Sequence, residues 1–140
     1  MKDTEYSMHR SLPGVAFDEA IEVVTAALKA EGFGVLTSID VAQTLKSKIG
    51  VDFRPYVILG ACNPALANQA LSADDNIGLM LPCNVVVAAA EGGAEVSWVR
   101  PHAMMDIADA PGIRDVADQA QAKLERALET IVAHSGATEA

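Results

Sequence analysis

Two Cys-Asn pairs, Cys62-Asn63 and Cys83-Asn84, are the residues whose type and spacing most clearly suggest chemistry. Cys62 ends an apolar stretch and directly precedes Asn63-Pro64, a dipeptide that is typical of a helix start. A helix N-terminus favours a thiolate, because its dipole and its free N–H groups stabilise negative charge. Cys83 opens the next apolar stretch, and a strand–helix–strand connection of this length can bring both cysteines to the same edge of a sheet. Whether the two are adjacent in space stays open.

A redox or nucleophilic role is the first interpretation of the two thiols. Cys62 would be the thiol of low pKa and Cys83 its resolving partner. The positive neighbours that a thiolate needs would come from Arg54, Arg100 or His102. The chain has no Cys-x-x-Cys motif, and no His-Asp or His-Asn partnership can be inferred from spacing. The cysteines are therefore candidates for catalysis, and whether the chain is an enzyme stays open.

Metal binding and plain packing are the other interpretations of the thiols. Cys62, Cys83 and His102 would suit a soft ion such as Zn²⁺ or Cu(I), but without a paired Cys-x-x-Cys this is a weak ligand pattern. We therefore expect neither a metal nor a cofactor. In the packing interpretation both cysteines are small buried hydrophobes. Asn63 then caps a helix and Asn84 makes hydrogen bonds at the start of a strand.

An anion site needs no thiol chemistry. The N-terminus of a helix over residues 64–72 is a generic anion site, and Gly60 would let a ligand approach the backbone closely. Arg54 and Arg100 are expected near strand ends and could hold a carboxylate or a phosphate. Alternatively, each arginine pairs with a surface acid. The candidate ligand-binding residues are Arg54, Gly60, Cys62, Asn63, Cys83, Asn84 and Arg100.

The elements that must position these residues follow from hydrophobic periodicity and from turn residues. We predict the order β-α-β-α-β-α-β-β-α. Strands are expected over residues 4–10, 33–39, 56–62, 83–90 and 95–100, and the main helices over 17–31, 41–48, 64–72 and 113–131. This order predicts an α+β fold, a two-layer sandwich with a mixed, mostly antiparallel sheet and helices chiefly on one face. We predict one domain over residues 1–140, with an ordered core at about 4–133 and a tail at 134–140.

The sheet face without helices must meet something, and a homodimer through that face is the simplest solution. Trp98 alternates with Val96 on a strand, so we expect it in the core or at the dimer interface. His9 lies on the polar face of the first strand and is expected to face solvent. His102 is expected in a loop.

Composition excludes several classes of protein. The 140 residues carry 10 Lys and Arg against 19 Asp and Glu, a net charge of −9 that argues against nucleic acid or an anionic membrane as partner. The longest apolar stretch, residues 77–90, is interrupted by Gly78, Pro82 and Asn84 and is too short to cross a bilayer. The polar N-terminus does not resemble a signal peptide, and two cysteines fit free thiols in the cytoplasm.

The middle of the chain resembles a known family. The stretches that carry the resemblance are FGVLTSID at 33–40, GVDFRPY at 50–56, ILGACNPALA at 58–67 and IGLMLPCNVVV at 77–87. Together they resemble the domain-of-unknown-function 302 family of bacterial and archaeal proteins. The resemblance implies a small α+β fold and homodimers, and it brings no established activity, substrate or catalytic residue.

The function that we predict is therefore a homodimeric module that binds a small anion. The first alternative is a thiol-dependent redox protein or enzyme that uses Cys62 and Cys83. The second alternative is a protein that binds a soft metal.

Overall fold

The computed structural model describes residues 1–135, with side chains up to Ile131. The side chain of His134 and residues 136–140 of the expected tail lie outside this description. The strands are β1 (Ser7–Pro13), β2 (Gly34–Asp40), β3 (Tyr56–Cys62), β4 (Cys83–Ala90) and β5 (Gly93–Val99). The helices are α1 (Phe17–Ala30), α2 (Val41–Ile49), α3 (Pro64–Ala73), α4 (Pro101–Met105) and α5 (Ile113–Ser135), with a 3₁₀ helix over Asp75–Met80.

The five strands form one sheet in the order β1-β5-β4-β3-β2, and every neighbouring pair is antiparallel. The predicted α+β class is confirmed, and the sheet, expected to be mixed and mostly antiparallel, is antiparallel throughout. Two short elements were not expected, the 3₁₀ helix and α4. No helix within residues 1–135 is both long enough and apolar enough to cross a membrane.

Local signals in the sequence set the ends of the central helices. Asp40 caps α2, since its Oδ1 accepts a hydrogen bond from the Gln43 backbone N–H at 2.9 Å. Gly50 ends α2 in the left-handed conformation, with φ at 69°. Asn63 caps α3 in the same way through the backbone N–H of Leu66, at 3.2 Å. The caps inferred from the sequence are therefore confirmed.

The core lies on one face of the sheet. Alternate residues of the central strands point to it, among them Leu59, Val85 and Val96, which are almost fully buried. α1 covers these strands with Val24 and its neighbours, and α5 packs on α1, α3 and β1. Antiparallel sheets commonly bury one face against helices in this way.

The opposite face of the sheet has no such helical cover, and we call it the open face. Residues 1–5 fold over its β1–β5 side: the terminal amine of Met1 lies 3.4 Å from Glu95 Oε1, and Asp3 Oδ1 accepts a hydrogen bond from the His9 backbone N–H at 2.7 Å. At the other end of the sheet, β2 is exposed except for Val35, and α2 has no buried residue. The two sides of the open face are therefore covered to different extents.

Candidate functional site

The two cysteines lie near each other at one end of the sheet, which answers a question that the sequence left open. β3 and β4 are antiparallel neighbours, and Cys83 at the start of β4 pairs with Ala61, next to Cys62. Both cysteines line one small cavity of about 20 Å³, closed by apolar residues that include Phe33 and Leu66. This volume holds little more than one water molecule, so the corner between the cysteines is not a binding pocket for an organic ligand.

Burial suppresses the acidity of one thiol. Cys83 is 8% exposed, and its burial, together with the neighbouring Cys62, raises the pKa of the Cys83 thiol to about 11. Cys83 therefore remains a neutral thiol near pH 7. Cys62 is half-buried, and both cysteines are unpaired.

The predicted metal ligands are not assembled. Among the side chains that the structure describes, up to Ile131, no group of three or more His, Cys, Asp or Glu could hold a metal ion. His102 lies on α4 and not in a loop, and its Nε2 is 2.5 Å from Asp118 Oδ1 on α5. His102 lines a different cavity from Cys62 and Cys83.

The predicted anion site at the start of α3 is not assembled either. Asn63 Oδ1 occupies the Leu66 N–H, and Pro64 has no N–H to offer. A Cβ at Gly60 would overlap Thr37 Oγ1 and would lie 2.8 Å from Pro82 Cγ, so protein atoms fill the space that the sequence assigned to a ligand. Gly60 instead lets β2 and Pro82 pack closely against β3.

The two arginines of the predicted site lie apart from α3. Arg100 Nε donates hydrogen bonds to the backbone oxygens of Thr4 and Ser7, each at 3.1 Å, and so ties the N-terminal segment to the end of β5. Arg54 Nη1 donates to Glu95 Oε2 at 2.8 Å and to the backbone oxygen of Ala89 at 3.0 Å. The alternative in which an arginine pairs with an acid applies to Arg54.

Glu95 is the centre of a polar cluster on the open face. Its Oε1 accepts a hydrogen bond from His9 Nε2 at 2.7 Å, while its Oε2 accepts the one from Arg54. His9 is 3% exposed, so the expectation that it faces solvent is wrong. His9 is buried because Asp3 and Glu95 contact it, and Glu95 comes from a strand that is distant in sequence. The alternation of residues around His9 indicated only a polar strand face.

The charge of Glu95 is stabilised despite its burial. Burial alone raises the pKa of the Glu95 carboxyl, but the hydrogen bonds from His9 and Arg54 and the nearby amine of Met1 lower it more. The net result is a pKa below its ordinary value of 4.5. Glu95 is therefore ionised at neutral pH and holds the Arg54 guanidinium in place.

A groove of about 470 Å³ crosses the open face beside this cluster. It contains two of the predicted ligand-binding residues, Arg54 and Asn84, together with Lys2, Tyr56 and Ser97. Of the side chains up to Ile131, two basic ones and no acidic one line it. We call it the open-face groove.

A larger cleft of about 650 Å³ lies between α4 and α5, and we call it the α4–α5 cleft. It takes in two residues that the sequence analysis placed elsewhere, Arg100 and His102. Sequence reasoning missed this cleft because it predicted no helix between β5 and α5. Pro101 directly after a strand was the available signal, since proline is favoured in the first turn of a helix.

Comparison with known proteins identifies the family. The family model for the domain of unknown function DUF302 matches residues 8–131. The chain belongs to the DUF302 family. The crystal structure of an uncharacterized conserved protein DUF302 from Bacillus stearothermophilus is similar to it, with 29% sequence identity and a TM-score of 0.82 over 91% of this chain and 99% of that one. No curated protein matches the sequence.

Family membership confirms the resemblance of the central stretches. The DUF302 fold of this chain brings the two Cys-Asn pairs to neighbouring strand ends. It distributes the predicted ligand-binding residues between this corner, the open-face groove and the α4–α5 cleft. The open-face groove and the α4–α5 cleft each have room for a small ligand, whereas the cysteine corner does not.

The two cysteines are expected to differ in reactivity. Alkylation of the native protein at pH 7–8 should modify Cys62 first, and Cys83 should react only at strongly alkaline pH or after unfolding, because burial disfavours its thiolate. Mass spectrometry of peptides after timed labelling would measure this, with urea-unfolded protein as the control. Rapid labelling of Cys83 near pH 7 would contradict it.

Removing the charge of Glu95 is expected to destabilise the fold in a pH-dependent way. Glu95→Gln should lower the free energy of unfolding by about 1–3 kcal/mol near pH 7, because the hydrogen-bonded Arg54 and His9 lose an ionised partner. Since the pKa of Glu95 is lower in the folded protein, this contribution is fully present above the unfolded value and disappears as the pH falls below about 4.5 through the folded pKa.

Urea unfolding at pH 7 and at pH 3 would measure the effect. The difference between wild type and Glu95→Gln should shrink at the lower pH. Glu129→Gln, at an exposed position of α5, is the matched control and should change stability little at either pH. An unchanged difference at the two pH values would show that Glu95 does not act through its charge.

Proposed function

We propose that this DUF302 domain is a homodimeric module that binds a small anion in the open-face groove. The observation that carries the proposal is the lining of the groove, which has Lys2 and Arg54 but no carboxylate in a chain of net charge −9. A basic groove in a strongly acidic protein concentrates anions locally, whereas the rest of the surface repels them.

Arg54 is held ready for such a ligand. Its described hydrogen bonds, to Glu95 and to the Ala89 backbone oxygen, both use Nη1, and the side chain is 42% exposed. The two bonds fix the plane of the guanidinium and leave its other N–H groups for a carboxylate or a phosphate. Glu95 is only 6% exposed, so it orients Arg54 from below and presents little surface to the groove.

Neutral groups complete the groove. Asn84 is exposed at the start of β4, and Tyr56 and Ser97 add hydroxyl groups that can donate hydrogen bonds. Val86 and Val99 give the groove an apolar part. This combination supports a small organic anion with an apolar body better than a bare inorganic ion.

The proposed homodimer is supported by the β2–α2 surface, which we define by the exposed apolar side chains of Leu36, Ile39, Ile49, Val51 and Phe53. A helix gains most of its stability by burying an apolar face, yet α2 buries no residue within this chain. β2 is also the edge strand, with one side free for pairing.

The charges of the β2–α2 surface favour a second copy of the chain as its binding partner. Residues 34–53 contain two acids, Asp40 and Asp52, and two lysines, Lys46 and Lys48, so their formal charge is zero. Two chains of net charge −9 can meet through a neutral surface without strong repulsion. A two-fold axis would place this surface against itself.

The proposed location and the two alternative functions rest on the cysteines. A cytoplasmic location agrees with two unpaired cysteines. A thiol-dependent activity would have to work with Cys83 as a neutral thiol. A soft-metal site would need ligands beyond Cys62 and Cys83.

Anion binding should depend on Arg54. Phosphate, acetate and benzoate are the probes, and isothermal titration calorimetry at low ionic strength is the measurement. We expect at least one of them to bind and Arg54→Gln to weaken it about tenfold or more, because a charge-assisted hydrogen bond is lost.

Two controls accompany this titration. Arg114→Gln removes an exposed arginine outside the groove and should leave the affinity within about twofold, whereas Asn84→Ala should weaken binding. The absence of binding by all three anions, or equal effects of Arg54→Gln and Arg114→Gln, would contradict the proposal.

Dimerisation should depend on the β2–α2 surface. Size-exclusion chromatography with light scattering is expected to give a dimer for the wild type and a monomer for the double variant Ile39→Lys, Phe53→Lys, because burial of two ammonium groups is costly. Circular dichroism would confirm that the variant is folded. Leu79→Lys, at an 86% exposed position outside this surface, should remain a dimer. A monomeric wild type would refute the homodimer.

A further inference from the structure

Residues 50–55, which we call the 50–55 segment, belong to both candidate interaction surfaces of this chain. Val51 and Phe53 are part of the β2–α2 surface, and Arg54 lines the open-face groove. We propose that dimerisation through the β2–α2 surface and anion binding in the groove strengthen each other. The coupling rests on the proposed function and adds the regulation of its site.

The groove and the β2–α2 surface are parts of one continuous sheet face. The strand register pairs Ile39 with Ile58, Ile58 with Val86, and Val86 in turn with Ser97. Side chains at directly paired positions point to the same face, so this row runs from the β2–α2 surface to the wall of the groove. Two strand spacings, about 10 Å, separate Ile39 from Val86. A second copy seated on Ile39 therefore lies beside the groove.

Phe53 connects the two surfaces directly. Its exposed ring packs against the ring of Tyr56, with the ring centroids 5.7 Å apart and the ring planes at 74°. Aromatic pairs favour this edge-to-face arrangement. Tyr56 lines the groove, so a partner copy that fixes the Phe53 ring also fixes Tyr56 in the groove wall.

The 50–55 segment has few contacts of its own, because all six of its residues are exposed. Near its start the Val51 N–H donates to the backbone oxygen of Leu45 at 3.3 Å, and at its end the Pro55 oxygen accepts from the Ala89 N–H at 2.9 Å. Segments with few buried contacts have low local stability. Burial of the apolar side chains of the segment against a second copy adds the contacts that it lacks.

Order in the 50–55 segment sets the position of Arg54, which directly follows Phe53. The Arg54 guanidinium reaches Glu95 and the Ala89 backbone oxygen only while the backbone of the segment keeps its place. In a monomer, anion binding carries the entropy cost of ordering the segment, whereas in a dimer the contact between copies has already ordered it. The dimer therefore binds the anion more tightly, and by reciprocity the anion tightens the dimer.

The experiment compares anion affinity in the dimer and in a monomer whose 50–55 segment is unchanged. The double variant Leu36→Lys, Ile39→Lys is expected to be monomeric, because a dimer would bury two ammonium groups on each copy. Phosphate, acetate and benzoate are the probes in isothermal titration calorimetry of the full-length protein. We expect the anion that the wild-type dimer binds to bind this monomer about fivefold more weakly.

The control is the double variant Leu71→Lys, Leu79→Lys, which adds the same two charges at exposed positions outside the β2–α2 surface. It should remain a dimer and bind the anion about fivefold more tightly than the monomeric variant. Because the two variants carry equal net charge, general attraction of anions to lysine cannot produce this difference. Light scattering and circular dichroism would establish the oligomeric state and the fold of each variant.

Two further measurements test the coupling. Sedimentation equilibrium of the wild type gives the Kd of the dimer with and without saturating anion. Each dimer holds two grooves, so a fivefold difference in anion affinity should lower this Kd by its square, about 25-fold. Hydrogen exchange of the 50–55 segment should be slower in the wild-type dimer than in the monomeric variant, because the partner copy orders the segment.

The outcomes separate failure of the coupling from failure of the proposed function. Equal anion affinity in the two double variants, a dimer Kd that the anion leaves unchanged, or equal hydrogen exchange of the 50–55 segment would overturn the coupling and leave the proposed function standing. A wild type that binds none of the three anions, or that is a monomer, would refute the proposed function and the coupling with it.

Discussion

A five-stranded antiparallel sheet has two faces, and the helices of this chain cover only one. α1 and α5 bury the core face, so each polar or apolar group on the open face needs another partner. Residues 1–5 provide one at the β1–β5 side, through contacts with His9 and Glu95. At the β2 end the part of the chain that the structure describes provides none, and Ile39 and Phe53 stay exposed there. The groove and the β2–α2 surface both arise from this one-sided burial.

Burial of the Glu95 carboxylate costs free energy, and well-placed hydrogen bonds offset that cost. A carboxylate that leaves water loses solvation energy, which is recovered only when good hydrogen bonds replace water. Here His9 and Arg54 bond to separate oxygens of the same carboxylate. Arg54 comes from the segment before β3 and His9 from β1, so the cluster joins opposite sides of the sheet across β4 and β5. It therefore stabilises the fold and also positions the basic residue of the groove.

Much of the fold could be predicted from the sequence because its signals are local. Asp40, Gly50 and Asn63 fix helix ends through groups three to five residues away, and alternation of apolar residues fixes which strand residues share a face. The strand, helix and strand that contain and connect Cys62 and Cys83 were predicted in the same way, whereas the proximity of the two cysteines was left open. Such signals depend only on near neighbours in the chain.

The candidate site was harder to predict because its contacts are distant in sequence. His9 and Glu95 meet through strand order, and no periodicity at His9 indicates that a carboxylate will cover it. Arg54 and Arg100 both lie near strand ends, as expected, but at places separated by the sheet. The helix α4 has five residues, too few for a periodic pattern. The cavities that could hold ligands depend on these tertiary contacts.

The net charge of −9 is not spread evenly, and this explains how one small domain can present surfaces of different chemistry. The open-face groove is lined by basic and neutral residues, the α4–α5 cleft has an excess of acids, and residues 34–53 sum to zero. Surface charges are screened beyond about 8–10 Å at physiological ionic strength, so each surface is governed by its own residues more than by the total. By the same argument, two copies of the chain would repel each other least across a neutral apolar surface. The residues that line each cavity, and not the total charge, therefore set the electrostatic potential that a charged ligand would meet there.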